Sequence, residues 1–390
     1  WTKGESAASW SDGNNAIFST ANAAATLAAD AAVSKVAFNA DAAITGSALL
    51  TVSEVAVVRD VSATISAPTA GALTKPGAGR LTLGASRTDQ TTLSEGTLAV
   101  ANGAALDPSK LTLGTDAAKP VTLDYGGQTL SGDPAGYLGA GMDVTLMNGT
   151  FAYTGDVELD DGNLPASLTI ASDAAISTSG RYWINTEEVK TINVNGGEFD
   201  MSELSGSSKN VWLMQKSSGR LRINAADGAA IRANGRIFAA TGQDSAGLSP
   251  KVDWVMVDST LSITGNGLYL GNRGNQNAFK NHPVAPECRF SMTNGVLSAA
   301  EGIFLGNNPS ENTSQPGGWY IAEFDDCIVT AKQCRVYGDR PASRIHFNGT
   351  TLVANGDDEN CIIASGFAAD ATPVTIGTDG LVLDTNGKTM

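Results

Sequence analysis

Short runs of alternating apolar and polar residues recur along the whole chain. Every second residue of such a run is apolar, which is typical of a β-strand that buries one of its two faces. Runs of this kind lie at 81–83, 97–100, 111–113, 121–123, 168–170, 221–223 and 261–263. The Ala-rich stretch 21–32 has helix propensity, but the alternation within 24–27 and 33–38 favours strands there too. The pattern therefore predicts an all-β protein.

Asn-Gly or Asp-Gly pairs separate many of these runs and tolerate the positive φ of tight corners. Successive pairs beginning at Asn102, Asn148 and Asn195 are 46 and 47 residues apart. Each step is about twice a coil of roughly 20 to 30 residues. Hairpins of an antiparallel sandwich use the same dipeptides, but they place turns about every 8 to 12 residues. The spacing thus favours a parallel β-helix, or β-solenoid.

Direct sequence repeats in the second half agree with stacked coils. The hexapeptide GLYLGN at 267–272 returns as GIFLGN at 302–307. A second unit, with a large apolar residue, a corner pair and a final alanine, occupies 292–299, 324–331 and 347–354. One coil cannot bury its apolar face alone, whereas stacked coils pack like side chains into ladders. We therefore expect residues 1–390 to form a single solenoid.

Two segments interrupt the pattern, one near 273–289 and one near 307–318. Both contain two prolines and many polar residues, so we predict irregular loops. Loops carry binding residues more often than the scaffold does. Trp319 and Tyr320 directly follow the second segment and are the predicted ligand contacts, because aromatic side chains can stack on sugar rings.

Composition narrows the range of partners. The chain has 44 Gly, only 17 % charged residues and a net charge of −15. This charge repels phosphate backbones and anionic lipid, so we predict no nucleic-acid partner. The longest apolar runs, such as 55–58, are far shorter than the ~20 residues of a spanning helix, and no membrane insertion is expected.

The four cysteines lie in the last third of the chain and lack the spacing of a zinc site. Two disulfides and four buried thiols both remain open. Cys334 and Cys361 are 27 residues apart, about one coil, so we predict that they form a stacked disulfide.

Catalytic chemistry has few candidate residues. Asp325 and Asp326 are the best carboxylates for hydrolysis of a polysaccharide, and Arg335 follows them. Adjacent residues on a strand point to opposite faces, so both aspartates cannot enter one site without a turn. The favoured interpretation is that the pair forms a corner, like the Asn-Gly pairs at 294–295 and 348–349.

Metal chemistry is also poorly supported. The acidic stretches 156–161 and 357–359 offer oxygen ligands but lack the spacing of a calcium loop. We predict no cofactor, and Ca²⁺ remains an open alternative.

Residues 72–84, ALTKPGAGRLTLG, followed by 91–100, TTLSEGTLAV, resemble the passenger repeat of autotransporter-associated β-strand proteins. The family pattern is Leu-x-Lys-x-Gly-x-Gly-x-Leu-x-Leu and then Thr-x-x-x-Gly-x-Leu. The Trp-rich start, with Trp1 and Trp10, is similar to the start of such passengers. The resemblance covers a small part of the chain.

This resemblance implies a right-handed parallel β-helix in a secreted or bacterial outer-surface protein. The implied role is a non-catalytic structural or adhesive passenger module that contacts polysaccharide or a host or cell-surface glycan. The chain ends in what reads as another coil, so we expect it to be a fragment, continued at its C-terminus by further repeats or another domain. Since parallel β-helices also carry polysaccharide lyases and glycoside hydrolases, an enzyme of that kind is the alternative.

Overall fold

The computed structural model describes residues 2–3, 6–7, 12–204, 209–215, 217–241, 249–271, 286–306, 319–337, 343–357, 361–365 and 372–388. These residues form β-strands and two short 3₁₀ helices, Pro108–Lys110 and Pro134–Gly136. The predicted parallel β-helix is confirmed. Within the described part of the chain, no helix is long and apolar enough to cross a membrane. Two compact units, Trp1–Ala152 and Tyr153–Met390, are described in turn as unit 1 and unit 2.

The strands of unit 1 are β1 (Thr2–Lys3), β2 (Ser6–Ala7), β3 (Ala16–Phe18), β4 (Ala23–Leu27), β5 (Ala31–Phe38), β6 (Ala42–Gly46), β7 (Leu50–Val57), β8 (Ser62–Ile65), β9 (Thr69–Ala70), β10 (Leu73–Lys75), β11 (Arg80–Leu83), β12 (Thr91–Leu93), β13 (Gly96–Val100), β14 (Leu111–Leu113), β15 (Val121–Ser131) and β16 (Asp143–Tyr153). From β3 onward the pairing is parallel, in one sheet of order β3-β5-β7-β10-β12-β14 and a second containing β4, β6, β8, β11, β13, β15 and β16. Strand β4 lies in the Ala-rich stretch 21–32, and β5 begins in it and covers the alternating residues 33–38, so strands form here as the alternation predicts.

The strands of unit 2 are β17 (Val157–Leu159), β18 (Ser167–Ile170), β19 (Ala174–Thr178), β20 (Tyr182–Ile184), β21 (Val189–Asn195), β22 (Glu198–Met201), β23 (Asn210–Leu213), β24 (Arg220–Ala226), β25 (Ala230–Ala233), β26 (Arg236–Ala239), β27 (Lys251–Val257), β28 (Thr260–Ile263), β29 (Gly267–Leu270), β30 (Glu287–Thr293), β31 (Val296–Ala299), β32 (Gly302–Leu305), β33 (Trp319–Asp325), β34 (Ile328–Ala331), β35 (Cys334–Tyr337), β36 (Arg344–Asn348), β37 (Thr350–Ala354), β38 (Ile362–Ser365), β39 (Val374–Ile376) and β40 (Leu381–Asp384). Each strand pairs in parallel with the third strand after it.

Unit 2 therefore has three strands per coil and three faces. Face A is the sheet β17-β20-β23-β26-β29-β32-β35-β38. Face B contains the next strand of each coil, from β18 through β21, β24, β27, β30, β33 and β36 to β39, and face C contains the last, from β19 to β40. Inward and outward side chains alternate on every face, so the core runs along the centre of the coils.

Both predicted sequence repeats occupy equivalent places in successive coils. Gly267 pairs with Gly302 and Leu270 with Leu305, so the two hexapeptides lie side by side on face A. On face B, Phe324 pairs with Phe347, and the two buried rings stack with centroids 5.5 Å apart. Like residues thus form ladders along the core, as the repeats predict.

The predicted loops lie largely outside the described residues. Of the segment 273–289, residues 287–289 belong to β30, and the segment 307–318 falls outside entirely. Gly271 and Gly306, which precede the two segments, stand just after the paired strands β29 and β32 of face A. Trp1 and Trp10 of the Trp-rich start also lie outside the described residues.

The motif that resembles the passenger repeat builds one corner of unit 1. The buried Lys75 ammonium donates to the carbonyl oxygens of Gly77 and Gly79, at 2.5 Å each, and of Glu95, at 2.7 Å. A side chain at Gly79 would collide with the carbonyl of Val58 in the preceding coil. The lysine thus donates to three carbonyl groups around the tight glycine turn, and the Gly79 carbonyl also accepts from the Thr97 amide.

We predict that Lys75→Met lowers the free energy of unfolding by about 2 to 3 kcal/mol, because three carbonyl oxygens each lose a charged donor. Lys110→Met, at an exposed site, is the control and should change it by no more than about 0.5 kcal/mol. Urea unfolding followed by circular dichroism measures both. Equal stability of the two variants would contradict this role for Lys75.

The same lysine predicts a pH dependence. Burial lowers the pKa of Lys75 from 10.5 to about 8. As the pH rises from 8 to 10.5 the folded chain loses this proton before the unfolded chain does, so the unfolded state binds more protons and stability increases. The stability difference between wild type and Lys75→Met should therefore grow over this window in urea titrations, and a difference that shrinks with pH would contradict it.

Candidate functional site

Face A carries a ladder of aromatic side chains on its outer surface. Trp212, Phe238, Tyr269 and Phe304 occupy equivalent positions in four successive strands. Their ring centroids are 4.2, 4.9 and 4.6 Å apart and the planes lie within 28° of parallel. Because neighbouring rings cover each other's faces, the middle of the ladder offers no free ring face for a sugar. Its contribution is to the packing of adjacent coils.

Arg335 continues this row, since it pairs with Phe304 in the next strand. Its guanidinium donates to the side chains of Gln333 and Tyr337. These groups line a cavity of about 350 Å³, which Asp325 and Asp326 do not line. The structure thus separates Arg335, on face A, from the two aspartates at the end of face B.

Asp325 and Asp326 form a corner, as the turn pattern predicted. Asp326 has φ 51°, and Asn294, at the same corner of the preceding coil, has φ 50°. The amide of Asp326 donates to the carbonyl of Asn348, and the Asn348 side chain donates to Asp325 Oδ1 at 2.7 Å. Short polar side chains are the non-glycine residues that best tolerate this left-handed conformation. The geometry therefore assigns Asp326 a structural role as the turn residue of this corner.

The two predicted aromatic contacts separate onto opposite sides of β33. Trp319 is 55 % exposed, whereas Tyr320 is only 4 % exposed. The Tyr320 ring packs against Gly271, where an added Cβ would lie 2.7 Å from it. Tyr320 is therefore corrected to a packing residue, because alternation along a strand turns one of two adjacent side chains inward. Trp319 remains available to a ligand.

Cys334 is the first residue of β35, Cys361 directly precedes β38 in the next coil, and the amide of Cys334 donates to the carbonyl of Cys361 at 2.6 Å. Both carry thiols in this structure. Burial raises the pKa of Cys334 to about 12, so the thiolate required for exchange is scarce at neutral pH. Their disulfide stays a prediction.

The acidic stretches considered for Ca²⁺ make local contacts. The Asp156 carboxylate accepts from Arg181 at 2.8 Å, and this contact lowers the pKa of Asp156. Residues 358–359 of the second stretch lie outside the described residues. In the described portions of the chain, no group of three His, Cys, Asp or Glu side chains is placed to hold a metal ion.

The outer surface of face B carries an ion-pair network that spans three coils. The Arg220 guanidinium pairs with Asp253 and, at 3.3 Å, with Glu287, and Lys251 lies 3.6 Å from Glu287. Arg289 lies next to Asp253 in the following strand. A groove of about 480 Å³ opens among these side chains. Successive strands thus bring together residues separated by 31 to 36 positions in the sequence.

A second groove, of about 270 Å³, lies further along face B. Glu323 and Asp325 are two residues apart on β33, so both point outward and both line it. Glu323 pairs with Arg344 at 3.3 Å. His346 lies beside Glu323 in the next strand, and its Nδ1 is 2.8 Å from Thr375 Oγ1. Two carboxylates and a histidine in one groove are chemically competent for acid and base steps.

Neither groove was predicted from the sequence. The second groove could have been recognised in the sequence from the spacing of Glu323 and Asp325, since alternate residues of a strand share a face. The first groove has no recognisable local sequence pattern, because the residues that line it come from separate coils.

We predict that Asp326→Asn leaves the free energy of unfolding within about 0.5 kcal/mol of wild type, whereas Asp326→Val lowers it by about 1 to 2 kcal/mol. The reason is that a β-branched residue is strained at positive φ. Thr293→Val, at an exposed strand position, is the control and should be neutral. Urea midpoints measure all three, and a tolerated valine at 326 would overturn the assignment of Asp326 to the corner.

Comparison of the chain with protein-family models, with curated protein sequences and with solved structures gives no match in any of the three.

Proposed function

We propose that the chain is a non-catalytic structural and adhesive module of a bacterial outer-surface protein, similar to an autotransporter passenger. In this role the stacked coils support an outer surface that contacts polysaccharide or a host or cell-surface glycan. Secretion or display on the cell surface is part of the same proposal.

The observation that carries the proposal is the outer surface of face B. Its strands present in-register rows of mainly polar and charged side chains, interrupted by the exposed Val255 and Val257 of β27, and the exposed Trp319 stands at the beginning of β33. A flat row of polar groups beside an exposed aromatic ring suits contact with an extended sugar chain, because the ring offers apolar area and the polar groups offer hydrogen bonds.

The resemblance of residues 72–84 to the passenger repeat supports the same proposal. Lys75, Gly77 and Gly79 have defined places in the corner of unit 1. The residues that carry the resemblance therefore have structural roles in this chain.

The groove that contains Glu323, Asp325 and His346 favours a second candidate function, a polysaccharide lyase or glycoside hydrolase. Two carboxylates facing one groove are the minimum for glycoside hydrolysis. The catalytic set predicted from the sequence, Asp325, Asp326 and Arg335, is divided between face B, its corner and face A, so this alternative depends on Glu323 and Asp325.

The proposal is tested by incubating the purified chain with insoluble and soluble polysaccharides, both acidic and neutral, and measuring retention and the release of reducing or unsaturated ends. We expect retention without product. Trp319→Ala should weaken retention several-fold, whereas Trp183→Ala, an outward tryptophan on face A contacted by Arg181, should not.

Product release that disappears in Glu323→Gln and in Asp325→Asn would replace the proposal with the enzyme alternative. Absence of retention on every polysaccharide in the panel would contradict a glycan-contacting role.

A further inference from the structure

The outer surface of face B differs in charge from the chain as a whole. The whole chain has 25 basic against 40 acidic residues. On strands β24 to β36 the outward cationic residues are Arg220, Arg222, Lys251, Arg289 and Arg344. The outward carboxylates are Asp253, Glu287, Glu323 and Asp325. The five basic and four acidic side chains nearly balance, so face B lacks the acidic excess of the whole chain and repels anions less than its average surface does.

Two of these arginines have no partner among the residues that the structure describes. Arg222 and Arg289 flank Asp253 in register, one in the preceding strand and one in the following strand. The Asp253 carboxylate is held by Arg220 instead. Among the described residues, neither Arg222 nor Arg289 has an ion pair or a side-chain hydrogen bond, and both are exposed. Each therefore presents a complete fork of N–H donors to solvent, which matches a carboxylate in a bidentate pair.

The spacing of these groups fits a linear polyanion. Arg222 and Arg289 are two strands apart, about 9.6 Å at the strand separation of a β-sheet. Trp319 lies one strand beyond Arg289 and two residues back along it, about 8 Å away by the same geometry. A sugar ring stacked on Trp319 would bring its substituents toward Arg289, and a later ring of the same chain would reach Arg222.

We infer that face B of unit 2 binds a carboxylated polysaccharide, one that contains uronic acid residues. Arg222 and Arg289 bind carboxylates of the polymer, and Trp319 packs against one of its rings. Arg220, Lys251 and Glu287 hold the surface between them in place through their ion pairs. The inference rests on the proposed function and specifies the class of glycan for it.

The test measures binding of the full chain to polygalacturonate, dextran sulfate and neutral dextran by isothermal titration calorimetry at several salt concentrations. The site variant is Arg222→Gln with Arg289→Gln. The matched control is Arg59→Gln with Arg232→Gln, which removes two exposed arginines from outside face B and so makes the same change in net charge.

We expect the site variant to bind polygalacturonate about tenfold more weakly or worse, since two charge-assisted bidentate contacts are lost. The control pair should stay within about twofold of wild type. The site variant should also show a smaller dependence of affinity on salt, because fewer counterions are exchanged. Trp319→Ala should weaken binding without changing the salt dependence.

Four results would overturn the inference. Equal losses of affinity for polygalacturonate in the site and control variants would mean that the polymer is attracted by the general charge of the surface and not by a defined site. Tighter binding of dextran sulfate through the same arginines would assign the site to sulfate esters. Binding of neutral dextran but not of polygalacturonate would contradict the inference and would still agree with the proposed function. Absence of binding to all three polymers and to cell surfaces would contradict both.

Discussion

In-register parallel hydrogen bonding between successive coils is the constraint on which the rest of this structure depends. One coil has too little apolar area to fold alone, so each backbone strand takes its partners from the coils before and after it. The pairing fixes which residues become neighbours along the solenoid. It places Phe324 on Phe347 in the core and Arg289 beside Asp253 on the surface. Core ladders and surface rows are consequences of the same register.

Because side chains alternate along each strand, the inward residues stabilise the fold and the outward residues are available for contacts with other molecules. Inward positions hold the buried ladders, whereas packing of the core does not restrict the residue types at outward positions. Face A and face B use this freedom differently: the outer rings of face A stack on each other, whereas face B presents charged rows and the exposed Trp319. The corners add a further condition, because each requires a residue that tolerates positive φ, which Asp326 and Asn294 both do.

Much of the fold could be predicted from the sequence, because its determinants are local and periodic. Alternating runs, Asn-Gly corners and repeated units each identify a strand or a turn without knowledge of distant residues. The site could not, because Arg222 and Arg289 are brought together only by a register that depends on the length of every intervening loop. Adjacency in sequence was also misleading: Trp319 and Tyr320 lie on opposite sides of one strand, as alternation requires.

The register itself can be measured directly by electron–electron double resonance between spin labels on genetically encoded keto amino acids. Arg232 and Asp384 lie on outward positions of face C five strands apart, and Asp200 lies one strand further from Asp384. Parallel stacking predicts separations of about 24 Å for Arg232 with Asp384 and about 29 Å for Asp200 with Asp384, before the label length is included. Two distances that do not differ by about one strand spacing, or broad distributions at both pairs, would contradict the parallel solenoid.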